Sequence, residues 1–318
     1  MRILITGASG LLGLNLALEI ASLSGNTGEH QVFGLVHSHP LHTTAFTVLQ
    51  GDLLAPGTAE RLFEETQPDW VINCAALAIV DACETDPVRA RQLNTELPAK
   101  LAALVARGGA RLLHVSTDAV FDGMRGEYTE EDAPNPPSVY GQTKLEGEHT
   151  AAEANPDTLI ARVNFYGWSL SGKRSLSEFF FYNLKEGKQL MGFTDVHFCP
   201  LLVNDLALIF MSMIKKRLFG LYHVVSSECI SKFEFGAALA REFGLDDNLI
   251  SPTSVSEAGL KAARSPNLTL NSDKLYEALN QKTPGIAPGL ERYHHLYQQG
   301  YPEKIRQLRI PSSSTPLE

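Results

Sequence analysis

The chain of 318 residues is 44% hydrophobic and 20% charged, which is typical of a globular protein with one large α/β domain and a smaller lobe. Its net charge of −9 argues against nucleic acid or an anionic membrane surface as a partner, because both require a basic face. No apolar run reaches the roughly 18 residues of a membrane span, and no signal-peptide pattern precedes the first predicted strand. We therefore expect a cytoplasmic protein whose cysteines, Cys74, Cys83, Cys199 and Cys229, are buried free thiols.

The first half of the chain alternates between strand-like and helix-like segments. Apolar runs predict strands at 3–6, 31–36, 70–73, 112–115 and 159–163. Leucines recurring on one face predict a helix over 88–107. Strands without internal alternation, separated by helices, indicate a parallel sheet buried on both faces. We therefore predict a Rossmann-type, doubly wound α/β fold that binds its ligands at the carboxyl ends of the strands.

After residue 163 the pattern changes to a smaller, mixed set of elements. A loop is predicted at 167–172, helices at 176–186, 232–243 and 272–279, and a strand at 221–225. We assign residues 1–165 to an NAD(P)-binding domain and 166–310 mainly to a substrate-binding lobe. Elements near 201–226 are expected to return to the main sheet. Residues 311–318 are expected to form a disordered tail.

A glycine-rich loop, Gly-Ala-Ser-Gly-Leu-Leu-Gly at 7–13, directly follows the first predicted strand and opens an amphipathic stretch. In this position the glycines allow a tight turn and a close approach of a pyrophosphate to the helix N-terminus. The alternative interpretation is a tight turn with no ligand. The expected cofactor contacts in this loop are Gly7, Ser9, Gly10, Leu11, Leu12 and Gly13.

The end of the second predicted strand bears on the choice of dinucleotide. NAD enzymes commonly place a carboxylate there for the ribose 2′-hydroxyl, but this chain has His37 and Ser38, with neither an acid nor an arginine or lysine. The missing acid favours NADP(H) and leaves NAD(H) open. Asp52 and Leu53 match a short motif that contacts the adenine amino group, although Asp52 could instead cap a turn.

A Tyr-x-x-x-Lys pair, Tyr140 and Lys144, predicts an acid–base site. On a helix these residues share a face, so the lysine ammonium and an oxidised nicotinamide would favour the phenolate of a group whose ordinary pKa is about 10. Thr117 ends a predicted strand at the edge where a substrate carbonyl should lie. We predict that Thr117 binds the carbonyl oxygen while Tyr140 delivers the proton. The alternative for the pair is an exposed helical contact.

Several segments together resemble the bacterial dTDP-4-dehydrorhamnose reductases of the extended short-chain dehydrogenase/reductase superfamily. The most family-specific is Ser-Thr-Asp-Ala-Val-Phe-Asp-Gly at 116–123, and the others are residues 71–76, 80–81, 139–148 and 264–270. The resemblance implies dTDP-rhamnose biosynthesis: hydride delivery to the C4 ketone of a nucleotide-linked 6-deoxysugar, with Thr117, Tyr140 and Lys144 as catalytic residues.

The resemblance also implies further contacts. Tyr140, Lys144 and the segment Cys74, Ala75 and Ala76 would line the cofactor. Arg264 and Asn267 would approach the nucleotide or its phosphates. Arginine suits that role because its planar guanidinium binds phosphate through paired hydrogen bonds, although Arg264 could equally form a surface salt bridge. The expected substrate contacts are Thr117, Asp118, Asn164, Phe165, Arg264 and Asn267.

The sequence departs from the family pattern at several positions. Leu77 and Ala78 replace a frequent His-Thr pair. Phe165 stands where members often have a tryptophan that lines the sugar site, and Trp168 is a candidate replacement. Some members bind magnesium through a glutamate where this chain has Asn15, so we expect no metal requirement.

Other functions on this fold remain as alternatives. Dehydratases of nucleotide sugars usually need a glutamate two positions after the threonine, where this chain has Ala119, so dehydration is disfavoured. A nucleotide-sugar 4-epimerase stays open, as does a non-catalytic NADP-binding subunit resembling the methionine adenosyltransferase beta subunit. The intact Thr117, Tyr140 and Lys144 set favours an enzyme. A nucleotide-sugar substrate is the expected partner, and a homodimer is left open.

Overall fold

A computed structural model describes residues 1–24, 28–257 and 265–310. The strands in this part of the chain are β1 (Arg2–Thr6), β2 (Gln31–Val36), β3 (Thr47–Gln50), β4 (Trp70–Asn73), β5 (Arg111–Thr117), β6 (Leu159–Val163), β7 (Phe165–Tyr166), β8 (Leu190–Phe193), β9 (His197–Phe198), β10 (Leu201–Leu202), β11 (Gly220–Val224), β12 (Ile230–Ser231) and β13 (Ile250–Thr253). The tail predicted at 311–318 lies outside the described residues.

The helices alternate with the strands of the first half and dominate the second. They are α1 (Leu11–Ser24), α2 (Thr58–Thr66), α3 (Val80–Thr85), α4 (Pro87–Arg91), α5 (Leu97–Gly108), α6 (Val139–Ala154), α7 (Leu176–Lys185), α8 (Val203–Lys215), α9 (Lys232–Glu242), α10 (Asp273–Leu279), α11 (Ile286–Gln298) and α12 (Tyr301–Gln307). None of the helices within the described ranges is long and apolar enough to cross a membrane.

Seven strands form one parallel sheet in the order β11-β6-β5-β4-β1-β2-β3. The strand order changes direction between β1 and β4, so the loops that follow these two strands diverge and leave a crevice. Ile3 and Ile5 point into one core cluster while Leu4 points into another on the opposite face. The sheet is therefore buried on both faces, as its unbroken apolar strands predicted, and the Rossmann-type fold is confirmed.

The smaller second part is built from short strand pairs and helices. Three two-stranded sheets, β7–β10, β8–β13 and β9–β12, accompany α7 and α9 to α12. β11 instead joins the edge of the main sheet beside β6. The strands predicted at 31–36 and 159–163 have the bounds of β2 and β6, whereas β3 was not predicted.

The helix predicted over 88–107 is interrupted. Residues Gln92–Glu96 form a π-helical segment between α4 and α5. Pro98 follows this segment and has no amide hydrogen with which to continue regular α-helical bonding. The Asn94 carbonyl lies so close to α6 that a Cβ on Gly147 would stand 2.0 Å from it. The interruption and the glycine together allow close packing of these helices.

The prediction of four free thiols was wrong for two of them. Cys199 and Cys229 form a disulfide, whereas Cys74 and Cys83 are free. The cause is the antiparallel register of β9 and β12, which pairs Phe198 with Ile230. The next pair in this register is Cys199 and Cys229, whose Cα atoms are 4.1 Å apart. Their separation of 30 residues in sequence carries no sign of this pairing.

Candidate active site

The glycine-rich loop makes the tight turn that its sequence predicted. Gly7 has φ +65, a left-handed conformation that favours glycine, and its carbonyl accepts the Gly10 amide at 2.8 Å. A Cβ on Gly13 would stand 2.3 Å from the Gly7 carbonyl oxygen. The loop therefore folds directly onto α1, whose first turn at Leu11 and Leu12 presents the amide groups that a helix leaves unpaired. This arrangement fits a pyrophosphate.

A buried polar contact ties the end of β1 to the end of β4. The Thr6 hydroxyl accepts the amides of Cys74 and Ala75, each at 3.1 Å, and donates to Oδ1 of Asn73 at 2.6 Å. These strands flank the point where the strand order reverses, and a Cβ on Gly7 would meet the Cys74 carbonyl at 2.9 Å. The structure thus holds 74–76 beside the glycine-rich loop, as expected for two walls of a dinucleotide crevice.

The end of β2 itself carries no acidic residue, but the structure places the carboxylate of Asp52 beside it. Nε2 of His37 lies 3.8 Å from Oδ2 of Asp52, and both side chains are exposed. Oδ1 of Asp52 accepts the Leu54 amide at 3.0 Å, so the aspartate also caps a turn. Ser38 contacts His39, whereas the Leu53 side chain is buried in the core.

Thr117, Tyr140 and Lys144 lie together at the carboxyl edge of the sheet. Thr117 ends β5, and its hydroxyl accepts the Ala119 amide at 3.2 Å. Tyr140 lies in the first turn of α6, which begins at a Ser138 cap, and Thr117, whose hydroxyl donates to Oδ1 of Asp118 at 3.0 Å, is close enough to affect the pKa of Tyr140. Lys144, one turn further, is buried. The spacing predicted from sequence therefore brings these three side chains to one place.

Burial controls the acidity of Tyr140 and Lys144. It raises the pKa of Tyr140 to about 12; the nearby Thr117 side chain acts in the opposite direction, and the charge of Asp118 raises the pKa further. Burial lowers the pKa of Lys144 to about 8, while the Glu148 carboxylate opposes this shift. Lys144 is not among the groups that shift the pKa of Tyr140. Its ammonium lies 2.6 Å from the Val115 carbonyl. The lowering expected with a bound nicotinamide stays a prediction.

A row of buried polar side chains that the sequence did not suggest leads away from Lys144. Its Nζ lies 3.4 Å from Nε2 of His114, whose Nδ1 lies 3.2 Å from Nδ2 of Asn73. Burial and the nearby Lys144 charge keep the pKa of His114 well below its usual value, so the ring is neutral. This row of side chains continues through Asn73, whose Oδ1 accepts the Thr6 hydroxyl, to the wall of the crevice.

A second buried network begins one helical turn beyond Lys144. Oε2 of Glu148 accepts Nη2 of Arg162 at 2.7 Å, and Oε1 accepts the Ser116 hydroxyl at 2.5 Å. Both charged side chains are nearly inaccessible. A glutamate on the same helix face as Tyr140 and Lys144 was the one sequence signal for this pair.

The residues expected to contact substrate fall into two groups. Asp118 is buried beside Thr117 and accepts Nδ2 of Asn164 at 2.5 Å; burial raises the pKa of Asp118, and the bonds from Asn164 and Thr117 oppose the shift. Phe165 follows in β7 and is partly exposed.

The second group is Asn267, which is held by contacts with Thr269 and Arg125. Its Oδ1 accepts the Thr269 hydroxyl at 2.8 Å, and its Nδ2 donates to the Arg125 carbonyl at 3.3 Å. Arg264 lies outside the described residues.

Trp168 does not line a site, so its candidate role as a replacement was wrong. The side chain has no exposed surface, stacks on Tyr293 with ring centroids 4.1 Å apart, and donates its indole N–H to the Tyr293 carbonyl. Its size and aromatic neighbours make it a core residue.

Asn15 is hydrogen-bonded at both ends of its side-chain amide. Its Nδ2 donates to the main-chain carbonyl of Trp168 at 3.0 Å, and its Oδ1 accepts the Tyr301 hydroxyl at 2.8 Å. Asn15 thus joins three segments of the protein.

Within residues 1–24, 28–257 and 265–310, no group of three histidine, cysteine, aspartate or glutamate side chains is arranged to hold a metal ion. The expectation that the protein needs no metal stays a prediction.

Comparisons with known proteins place these features in a family. The family model described as the RmlD substrate binding domain matches residues 1–298. The probable low-salt glycan biosynthesis reductase Agl14 of Haloferax volcanii is 31% identical, over 91% of this chain and 96% of that protein. Methionine adenosyltransferase 2 subunit beta of Mus musculus is also 31% identical, over 89% of this chain and 84% of that protein. The dTDP-4-dehydrorhamnose reductase of Bacillus anthracis, solved in complex with NADP, has a TM-score of 0.78 and 26% identity, covering 92% of this chain and 98% of its own.

Proposed function

Because the chain belongs to the RmlD substrate binding domain family, the dTDP-4-dehydrorhamnose reductases of the extended short-chain dehydrogenase/reductase superfamily, we propose that it reduces the keto group of a nucleotide-linked deoxysugar with NADP(H). The single observation that carries this proposal is the meeting of Thr117, Tyr140 and Lys144 at the carboxyl edge of the sheet. This is the edge at which the glycine-rich loop opens the dinucleotide crevice.

The residues of this site suit the reduction of a carbonyl group. A nicotinamide held in the crevice supplies the hydride when it is bound. Thr117 would hold the ketone oxygen through its hydroxyl, and Tyr140 would donate its phenolic proton to that oxygen as the alcohol forms. A pKa of about 12 keeps Tyr140 protonated at neutral pH, which is the state that a proton donor needs.

Lys144 would have two partners in this reaction. We propose that its ammonium binds the nicotinamide ribose and, once it does so, stabilises the tyrosinate left after proton transfer. Because its pKa is about 8, most Lys144 side chains carry a proton at pH 7. Glu148 favours this protonated state, so the buried ion pair with Arg162 contributes to the electrostatics of the site as well as to its structure.

The substrate class rests on the family and on the polar residues beside Thr117. Asp118 and Asn164 form a fixed polar pair, and Phe165 adds a partly exposed ring, a combination that can contact sugar hydroxyls and an apolar sugar face. We propose a dTDP-linked 4-keto-6-deoxyhexose, dTDP-4-dehydrorhamnose, as the first substrate to test. Asn267, together with Arg264, is proposed to face the nucleotide.

A second candidate function is that of a binding subunit, because a methionine adenosyltransferase subunit is as similar in sequence as the glycan reductase. Such a protein would bind the dinucleotide without consuming it. The intact proton-donor site favours the reductase.

The test is to measure NADPH consumption with 4-keto-6-deoxyhexoses linked to dTDP, UDP or GDP, each generated in the assay by a dehydratase. We expect turnover with at least one sugar, and we expect Tyr140→Phe to abolish it while dinucleotide binding persists. Dinucleotide binding without turnover of any keto-sugar would contradict the reductase and favour the binding subunit.

A further inference from the structure

A cavity of about 190 Å³ lies beside the glycine-rich loop, and two arginines from distant parts of the chain line it. Ser9 and Leu11 come from the loop and the start of α1, and His39 follows the end of β2. Arg174 and Arg309 also line the cavity. The remaining lining residues belong to the segment 169–171. The sequence predicted no cation at this end of β2, and the fold brings two there.

Backbone pairing holds Arg309 at this position. Residues 308–310 follow α12 and run antiparallel to the loop that follows His39. The His42 amide donates to the Leu308 carbonyl at 2.7 Å, and the Ile310 amide donates to the Pro40 carbonyl at 3.3 Å. Arg309 lies between these two bonds, paired with Leu41. The segment after α12 is thereby fixed to the loop that begins at the ribose end of β2.

The backbone of Arg174 is fixed as well. Its amide donates to Oε2 of Glu178 at 2.9 Å, in a capping arrangement that begins α7 at Ser175. The Ser175 hydroxyl also donates to the Gly167 carbonyl at 2.8 Å, which ties this helix start to the segment after β7. Arg174 therefore projects from a rigid helix start.

Neither guanidinium has an acidic partner within the described ranges. Arg174 and Arg309 are both exposed and make no side-chain hydrogen bond or ion pair there, in a chain with 36 acidic and 27 basic residues. By contrast, Arg292 is paired with both Glu19 and Asp205. Two cations that face one cavity repel each other unless an anion lies between them. Guanidinium groups bind phosphate oxygens through paired hydrogen bonds.

We propose that this cavity binds the 2′-phosphate of NADP(H), with Arg174 and Arg309 as the cations that select it over NAD(H). This inference rests on the proposed dinucleotide function. The ribose 2′ position is recognised at the end of β2, and His39 and the Arg309 segment both lie there. The pyrophosphate belongs at the start of α1, where helix amides are available. The Ser9 hydroxyl is a further hydrogen-bond donor to the 2′-phosphate.

The experiment measures equilibrium binding, not activity. Dissociation constants for NADPH and NADH would be determined by calorimetry for the wild-type protein, Arg174→Ala, Arg309→Ala and the double variant. Arg241→Ala is the matched control, since Arg241 is an exposed arginine on α9 and does not line this cavity. Thermal unfolding of each variant checks that it is folded.

We expect the wild-type protein to prefer NADPH and each cavity variant to bind NADPH about tenfold more weakly, which is about 1.4 kcal/mol. NADH binding should change less than about twofold, and the control should match wild type. The fragment 2′,5′-ADP should lose affinity in the variants, whereas 5′-ADP should not. Equal losses for NADPH and NADH would overturn the proposal and assign the arginines to the pyrophosphate. Unchanged NADPH binding, or a wild-type preference for NADH, would also overturn it. Failure of the wild-type protein to bind either dinucleotide would instead contradict the proposed function itself.

Discussion

Lys144 donates a 2.6 Å hydrogen bond from Nζ to the main-chain carbonyl of Val115. This contact joins the helix that carries Tyr140 to the strand that ends in Thr117, so the proposed proton donor and the proposed carbonyl-binding residue have a fixed relative position. Burial, Thr117 and Asp118 shift the pKa of Tyr140 more than the charge of Lys144 does. We therefore expect the charge of Lys144 to affect Tyr140 when a ribose hydroxyl competes with the Val115 carbonyl.

Replacement of Tyr140 by phenylalanine removes the phenolic hydroxyl and little else. We expect kcat to fall by about 100-fold to 10,000-fold, the usual contribution of a positioned acid. The dissociation constant for NADPH should change less than about threefold, because the ring is retained. Steady-state kinetics and dinucleotide titration on one protein preparation make this measurement. A variant with near-normal turnover would remove Tyr140 from the mechanism.

The buried pair of Glu148 and Arg162 should be important for stability. Replacing Glu148 by alanine leaves a buried guanidinium without its carboxylate, so the free energy of unfolding should fall by about 3–5 kcal/mol. Urea denaturation monitored by circular dichroism measures this change. Glu153→Ala, at an exposed position of the same helix, is the control and should change stability by less than about 0.5 kcal/mol.

The same pair allows a stricter test. A double variant, Glu148→Leu with Arg162→Met, removes both charges and should recover most of the stability lost by Glu148→Ala. The contradicting outcome is a double variant whose loss of stability equals the sum of the losses caused by Glu148→Leu alone and Arg162→Met alone. The cause would then be lost packing and not an unpaired charge.

The buried His223 predicts a loss of stability in acid. Burial and the Arg162 charge lower its pKa to about 3, so the folded protein keeps the ring neutral where the unfolded chain, with a pKa of 6.5, takes up a proton. The unfolded state is therefore favoured progressively as pH falls from about 6.5 to about 3, by up to about 1.4 kcal/mol per pH unit for this residue. Urea unfolding of the wild-type protein and His223→Gln at several pH values measures the difference. The free energy of unfolding of His223→Gln should depend less steeply on pH than that of the wild-type protein. The control His149→Gln, at an exposed position, should follow the wild-type curve. Identical slopes for wild type and His223→Gln would contradict this explanation.

Treatment with EDTA should leave activity unchanged. Asn15, which stands where some family members have a metal-binding glutamate, has both ends of its side-chain amide hydrogen-bonded to other segments. Activity before dialysis against EDTA, after it, and after addition of Mg²⁺ makes the comparison. A loss that Mg²⁺ reverses would show that a metal is required.

The sequence predicted those parts of the fold that depend on local periodicity. The strand ends that carry the glycine-rich loop and Thr117, and the helix spacing of Tyr140 and Lys144, follow from patterns of a few residues. The interruption after α4 did not, because leucines continue to recur on one face through a π-helical segment.

Features that depend on contacts between distant segments could not be predicted in this way. The Cys199–Cys229 disulfide depends on the register of two short strands, and the burial of Trp168 depends on α11. Arg309 reaches the end of β2 only through pairing of two loops that are more than 250 residues apart in the chain. The absence of a cation near His37 in sequence therefore did not imply its absence in space.

The measurement that tests the reductase most directly is the transfer of deuterium from labelled NADPH. The assay would contain NADPH that carries deuterium at the transferred position, a nucleotide-linked 4-keto-6-deoxysugar, and either the wild-type protein or Tyr140→Phe. We predict one deuterium on the former carbonyl carbon of the sugar for each NADPH consumed, seen by mass spectrometry and NMR, and far slower transfer by the variant. An unlabelled sugar beside bound but unconsumed NADPH would contradict the account.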